Sequence, residues 1–403
     1  MKLTADQWRG KIQEAAKELF PVIKGIRRHI HQHPELSFQE FKTSEFLQEQ
    51  LRKAGIAFSN NWVKTGILAE IKGFQEGKLI ALRGDMDALP IHETRQTEYT
   101  SLNDGVMHAC GHDVHSACVL GAGMILQSLS AHLPGTVQLV FQPGEEQHPG
   151  GAKLMLEAGV FQDRQPSAIF AQHVFPTLPA GKVGFREGRY MASSDEIYIR
   201  IRGKGGHAAM PHQIVDPVIT SAHVLVALQS VASRYAPPLL PTVLSFGRIE
   251  ALGATNVIPD EVKIEGTFRT MDEQWRAKAH ELILRIATET AHAYGAKAEV
   301  EISRGYPVLS NQVALTKRTR KAAEHYLGTE HVVELEMRMT AEDFAWFAQE
   351  MPACFYRLGT AGQNGGFTAG VHTSTFDIDE EALVTGMGLM AWLAVQELES
   401  GDL

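Results

Sequence analysis

The stretch "HDVHSACVLGAGMILQSLSAHLPGTVQLVFQPGEE", residues 112–146, decides the fold class. From His112 its apolar residues recur at helical spacing until Pro134 and Gly135 stop the pattern. A short apolar run, Thr136 to Gln142, then reads as a strand and breaks into a Gly/Pro loop carrying Glu145 and Glu146. A helix feeding a strand whose C-terminal end delivers polar residues is the repeating unit of open α/β sheets, which build their sites along that edge.

The unit recurs on both sides. Upstream, "GILAEIKG" and "KLIALRGDMDALP" read as strands, the second ending in Asp85 and Asp87. Downstream, a helix around Lys153 to Glu157 precedes the strand "SAIFAQHV", which ends at His173. "SFQEFKTSEFLQEQLRKAG" reads as an amphipathic helix, with Ser37 and Glu40 at capping-box spacing and Gly55 as its stop. From Gly181 to Gly188 the texture changes to alternating strands and a βαββαβ order, which predicts a small antiparallel sheet with two helices on one face. The expected architecture is therefore α/β: a mixed-sheet domain, 1–184 and 301–403, interrupted by an α+β ferredoxin-like domain over 185–300.

Composition excludes several classes. Across 403 residues, 44% are hydrophobic, 21% are charged and the formal net charge is -9, with basic residues scattered rather than striped; a nucleic-acid partner is not expected. No run reaches about 18 apolar residues, and the N-terminal segment lacks an uninterrupted apolar core, so neither a membrane span nor a signal peptide is expected. The three cysteines, Cys110, Cys118 and Cys354, make no even disulfide framework, and a cytoplasmic setting is expected.

Histidine is abundant, at 18. In "VMHACGHDVHSACV", residues 106–119, Cys110 and His112 stand two apart just before a helix, where an irregular backbone lets both side chains converge. Read alone, they are as consistent with a packed cysteine and histidine as with metal ligands. Glu145 and Glu146 follow a strand end, where one carboxylate can ligate while its neighbour acts as a base, although paired carboxylates also serve as solvated turns. By spacing, Cys110, His112, Glu146 and His173 are four candidate ligands from consecutive βα units. His372, in the Gly/Thr-rich loop "GGFTAGVHTSTFDID", is either a further ligand or a surface turn. His29, His31 and His33 read as a polar segment, His108 and His115 as structural neighbours of the ligands, and Thr340 to Asp343 as a helix start. No GxSxG elbow supports a serine hydrolase, and "GKGG" lacks the Lys-Ser/Thr of a phosphate loop.

"GDMDALP", "MHACGHDVH", "FQPGEE", "QHV", "GKGGHAAMPH", "GATNVIPD", "GTFRT" and "GVHTSTFD" together resemble the M20 metallopeptidases, in the aminoacylase-like branch of hippurate hydrolases and indole-acetyl-amino-acid hydrolases. The resemblance spans nearly the whole chain. It implies metal-dependent hydrolysis of the amide of N-acyl amino acids, or of small peptides, by a homodimer or higher oligomer whose inserted domain is lid and dimer contact. Cys110, His112, Glu146, His173 and His372 would be the ligands of two divalent ions, zinc, manganese, cobalt or nickel, with Glu145 the general base activating a water. The wider family pattern has a histidine ligand where Asp85 stands and an aspartate ligand where His173 stands; here a cysteine fills the lost position, and its soft thiolate shifts preference toward zinc. Asp87 would orient a ligand histidine, His207 would stabilise the oxyanion across a dimer, and Asn256 and Arg269 would hold the substrate.

Overall fold

The structure is a computed structural model that describes residues 3–362 and 366–400; Gly365, at the start of the quoted His372 loop, lies outside them. The chain divides into two compact units. One comprises Met1–Gly188, Ser310–Glu336 and Asp343–Leu403, the other Arg189–Leu309 and Met337–Glu342.

The first unit is built on an eight-stranded mixed sheet. Its strands are β1 (Ala57–Trp62), β2 (Gly66–Lys72), β3 (Lys78–Asp85), β4 (Gly135–Gln142), β5 (Ala168–Pro179), β6 (Val183–Phe185), β7 (Val332–Glu334) and β8 (Ala353–Ala361). They lie in the order β1-β2-β4-β3-β5-β8-β6-β7. The central run β4-β3-β5-β8 is parallel. Every residue of β4 and all but the first of β3 are buried, as expected for central parallel strands covered on both faces, and this is why they read as continuous apolar runs. Three helices pack together in this unit: α1 (Ala5–Gln32), α3 (His112–Ser128) and the C-terminal helix Ala382–Glu399. The middle one is buried almost all round, which explains its weak amphipathicity. Asp85 pairs in register with Gln142 and Arg83 with Ala171, so β3 and β4 end at one level and β5 runs beside them there before continuing to Pro179.

The second unit carries a four-stranded antiparallel sheet made of Thr242–Glu250, Glu261–Thr270, Asp195–Arg202 and Lys297–Arg304, in that order. Helices Pro217–Ser230 and Glu273–Ala293 pack with it, giving the βαββαβ order. The expected boundaries 184/185 and 300/301 need correction. Val183–Phe185 still belongs to the large sheet, while Lys297–Arg304 is an edge strand of the second sheet and runs through residue 300. Met337–Glu342 also returns to the second unit, because Tyr190 to Ala192 exchange backbone hydrogen bonds with Arg338 and Thr340.

Three local expectations also change. Helix α2 (Phe41–Lys53) starts at Phe41 with Glu40 as its N-cap, but the Glu40 side chain does not cap the helix, so Ser37 and Glu40 form no capping box. His29, His31 and His33 end α1, and only His31 turns fully inward: it is buried against Asp113 and Arg27. The helix after "MTAED" begins at Ala345, and Asp343 is instead drawn into a buried ion network.

Candidate active site

Cys110 and His112 are brought together by Gly111, the N-cap of α3, at φ +81. A Cβ there would lie 2.6 Å from a Val174 methyl, so glycine alone gives both the left-handed turn and the close approach of β5. The turn aims Cys110 Sγ at His173, 3.4 Å from Nε2, and His372 Nε2 reaches the same sulfur at 3.3 Å. His372 itself stands at φ +62 and donates its backbone N–H to Ala109 O at 2.8 Å, which ties its loop to the cysteine turn. Its Nε2 also lies 3.2 Å from Glu146 Oε1.

Five of the expected site residues thus converge in the first unit. Their donor atoms form two compact groups, Cys110–His112–His173 and Cys110–Glu146–His372, each with all atoms within 4.8 Å and sharing the sulfur. A third group, His112–Glu145–Glu146, places Glu145 beside both.

The outer ring nitrogens explain how the donors are held. His112 Nδ1 donates to Asp87 Oδ1 at 3.1 Å and His173 Nδ1 donates to Val174 O at 2.9 Å, so each ring turns Nε2 toward the shared centre. His112 Nε2 is buried with no hydrogen-bond partner, while Glu146 Oε1 faces the His372 ring nitrogen at 3.2 Å. A buried cluster of soft sulfur, imidazole and carboxylate with an unpartnered ring nitrogen at its centre is the donor set of a divalent transition metal. The residues therefore fit the expected group.

The charge balance agrees. Burial disfavours an imidazolium at His112, yet Asp85, Asp87 and Glu146 outweigh it and push its pKa up to about 10. The site's surplus of carboxylates calls for a cation. Cys110 is pushed up by burial and then by Glu146, Glu145 and Asp85, so its thiolate needs a compensating positive charge. His173 is held well below the usual histidine range by burial and by Arg357, which keeps Nε2 unprotonated.

A continuous buried network lies beneath. Asp85 accepts from His115 Nδ1 at 2.6 Å and from Arg83 at 2.7 Å. His115 Nε2 accepts from Val174 N–H at 2.9 Å, which fixes its tautomer. Arg83 also donates to Gln142 and Asp343, both at 2.8 Å. Asp343 accepts from Gln142 and from Ala152 N–H, and its own N–H points at Glu145 Oε1 at 3.4 Å. Burial opposes ionisation of Asp85, but Arg83, His112 and His115 hold it well below the usual carboxylate range. A second network joins Arg27 to Asp113 at 2.7 Å and to Asp377 at 3.1 Å, with His31 2.8 Å from Asp113. Asp113 follows His112 directly, so this pair pins the start of α3 from behind.

His207, Asn256 and Arg269 belong to the second unit. His207 and Asn256 are neighbours there: Gly206–His207 pairs with Val257–Ile258, and Ala208 N–H donates to Asn256 O at 3.0 Å. His207 is exposed, and its Nδ1 accepts from Ala209 N–H at 3.1 Å, which leaves Nε2 as the donor. Arg269 is partly buried and donates to Met339 O at 3.2 Å.

A family model described as peptidase family M20/M25/M40 matches residues 81–396. The chain belongs to that family. As an M20 hydrolase of amide bonds it is 41% identical over 376 residues to N-acetylcysteine deacetylase of Bacillus subtilis (strain 168), covering 93% of this chain and 96% of that protein. It is 38% identical over 389 residues to thermostable carboxypeptidase 2 of Saccharolobus solfataricus, covering 96% and 98%. Among solved structures, a Bacillus subtilis protein described as a dinuclear metal binding peptidase from the M20 family superposes with a TM-score of 0.83 at 38% identity, covering 95% of this chain and 99% of that one.

Proposed function

We propose that this M20 hydrolase cleaves the amide bond of N-acyl amino acids, using two divalent ions held by Cys110, His112, Glu146, His173 and His372. The observation that carries the reading is Cys110 Sγ at the junction of two three-residue donor groups, with the Glu145 carboxylate beside them. Bound there, the ions would polarise the scissile carbonyl and acidify a water. Glu145 accepts that water's proton as its oxygen bonds to the carbonyl carbon, then returns the proton to the leaving nitrogen as the C–N bond breaks. Asp87 keeps His112 in the tautomer that offers Nε2. His207, through its Nε2–H, donates to the developing oxyanion from a second copy of the chain, while Asn256 and the Arg269 guanidinium hold the amino-acid end and its carboxylate.

A dimer is supported by the second unit's own surface. Val218, Ile219 and Val226 on the helix Pro217–Ser230 are exposed apolar residues, as are Leu239 and Leu252. Among the described residues no helix is long and apolar enough to cross a membrane. The three buried, unpaired cysteines favour a reducing cytoplasm. Zinc suits the shared thiolate best; manganese, cobalt and nickel are the other candidates.

The carboxypeptidase relative favours a second reading, release of C-terminal residues from short peptides. Metal-reconstituted enzyme assayed on N-acetyl, N-benzoyl and indole-acetyl amino acids beside a set of dipeptides separates the two. The proposal expects the N-acyl amino acids to be turned over faster, chelator to abolish activity, and metal to restore it. Faster turnover of dipeptides replaces it with the second reading, and chelator-insensitive activity overturns both.

A further inference from the structure

The backbone N–H groups of the residues on either side of Glu145 are held by two different buried carboxylates. Glu146 N–H donates to Asp87 Oδ2 at 2.9 Å, and Gly144 N–H donates to Glu40 Oε1 at 2.8 Å. Asp87 is already engaged with His112 and with Ser37 Oγ, 2.7 Å away. Glu40 is different. It lies about a hundred residues upstream, and it occupies the N-cap of α2 without bonding to that helix. Its Oε1 accepts a second bond from Phe38 N–H at 2.8 Å, and its Oε2 accepts from Thr65 Oγ1 at 2.7 Å. All three partners are neutral donors, and the residue is fully buried.

The contact is tight as well as polar. Gly144 stands at φ +60, and a Cβ there would lie 2.4 Å from the Phe38 ring. Phe38 is itself in the left-handed region, at φ +62. The segment Ser37 to Glu40 is thus pressed onto the loop of the catalytic pair, with a left-handed residue on each side of the contact. A buried carboxylate facing only neutral donors is costly to desolvate, and as a helix cap it does nothing.

We infer that Glu40 is a positioning residue for the general base: by clamping the Gly144 peptide from the α2 side, as Asp87 clamps the Glu146 peptide from the β3 side, it sets where the Glu145 carboxylate stands. The inference rests on Glu145 being the base. Two variants separate a clamp from a mere core residue. Glu40→Gln retains every bond: its carbonyl oxygen accepts from Phe38 and Gly144, and its amide donates to the Thr65 hydroxyl, which rotates to accept. Glu40→Leu removes every acceptor.

The test measures kcat, KM, bound metal and melting temperature on metal-loaded enzyme. Glu40→Leu is expected to lower kcat by about 10- to 100-fold, with KM changed less than about 3-fold and metal content kept, because misplacing a catalytic group by about an ångström costs rate more than binding. Glu40→Gln is expected to recover kcat to within about 5-fold of wild type. Folded, metal-loaded Glu40→Leu with wild-type kcat overturns the inference, and so does Glu40→Gln as impaired as Glu40→Leu. If Glu40→Leu does not fold, Thr65→Val, which removes one of the three donors, takes its place; a fall in kcat at unchanged KM supports the clamp and wild-type kcat overturns it. Glu145→Gln run in parallel keeps the two assignments apart. An inactive Glu145→Gln beside a fully active Glu40→Leu rejects the clamp alone, whereas a fully active Glu145→Gln rejects the base and the clamp with it.

Discussion

Replacing Cys110 by serine removes one donor from each of the two groups at once, because its sulfur is the atom they share. The structure turns this into a stoichiometry. His173 belongs to one group and His372 to the other, 3.4 Å and 3.3 Å from the same sulfur, so each histidine's loss should weaken one ion while the cysteine's loss weakens both. Disturbing the groups that merely orient a ligand costs about 10- to 100-fold in metal affinity, so losing an anionic ligand should cost at least about 100-fold per ion. That corresponds to about 2.7 kcal/mol each. Serine does not compensate, since its hydroxyl remains protonated where a metal-facing thiol ionises. After gel filtration in metal-free buffer, elemental analysis should find two ions per wild-type chain, one in His372→Ala and in His173→Ala, and close to none in Cys110→Ser. A Cys110→Ser protein that retains two ions, or loses only one, would refute the shared-sulfur geometry.

Other outcomes follow from the surroundings of that centre. Arg83→Met leaves Asp85 and Asp343 buried without their guanidinium, and should lower unfolding free energy by about 3–5 kcal/mol; a change under about 1 kcal/mol in chemical denaturation would contradict the network. Glu40 is raised to about 7, first by burial and then by the Asp87 charge. Between an ordinary 4.5 and about 7 the folded chain therefore holds a proton that the unfolded chain has lost, so this contribution to stability falls as pH rises through that window, by about 3 kcal/mol. Denaturation at pH 5 and pH 8 should show the wild type losing stability relative to Glu40→Gln by that order, and a pH-independent difference would remove the argument. Mixing His207→Ala subunits with Glu145→Gln subunits should regenerate activity if His207 serves the partner's site; no recovery counts against donation between copies.

How much of this could be read from the sequence depends on how local each cause was. The strand–helix units were readable because β3 and β4 are buried on both faces and their apolar runs are uninterrupted. Cys110 and His112 were readable because a single left-handed glycine between them decides their convergence. The family correspondence supplied the far members, His372 above all, since nothing near Val371 or Thr373 marks that histidine apart from a turn. The supporting residues stayed hidden. Arg83 meets Asp343 across 260 positions, so no window of sequence contains both, and Asp343 looked like an ordinary helix start. Glu40 stands at capping-box spacing from Ser37, although its carboxylate faces a loop 104 positions away. His31 looked like one of three alternating histidines, yet a helix turns successive pairs of residues by more than half a circle and buries only one of them. The upper boundary of the second unit lies beyond 300 because the edge strand Lys297–Arg304 runs through it, and the later return of Met337–Glu342 rests on backbone pairing, which leaves no mark in composition.

The central claim, that Glu145 is the base of a two-ion amide hydrolase, is tested most directly by loading Glu145→Gln with metal and measuring ion content and kcat on the best N-acyl amino acid. The account predicts two ions per chain, as in the wild type, with kcat at least about 10²-fold lower. Two bound ions with near wild-type kcat would contradict it.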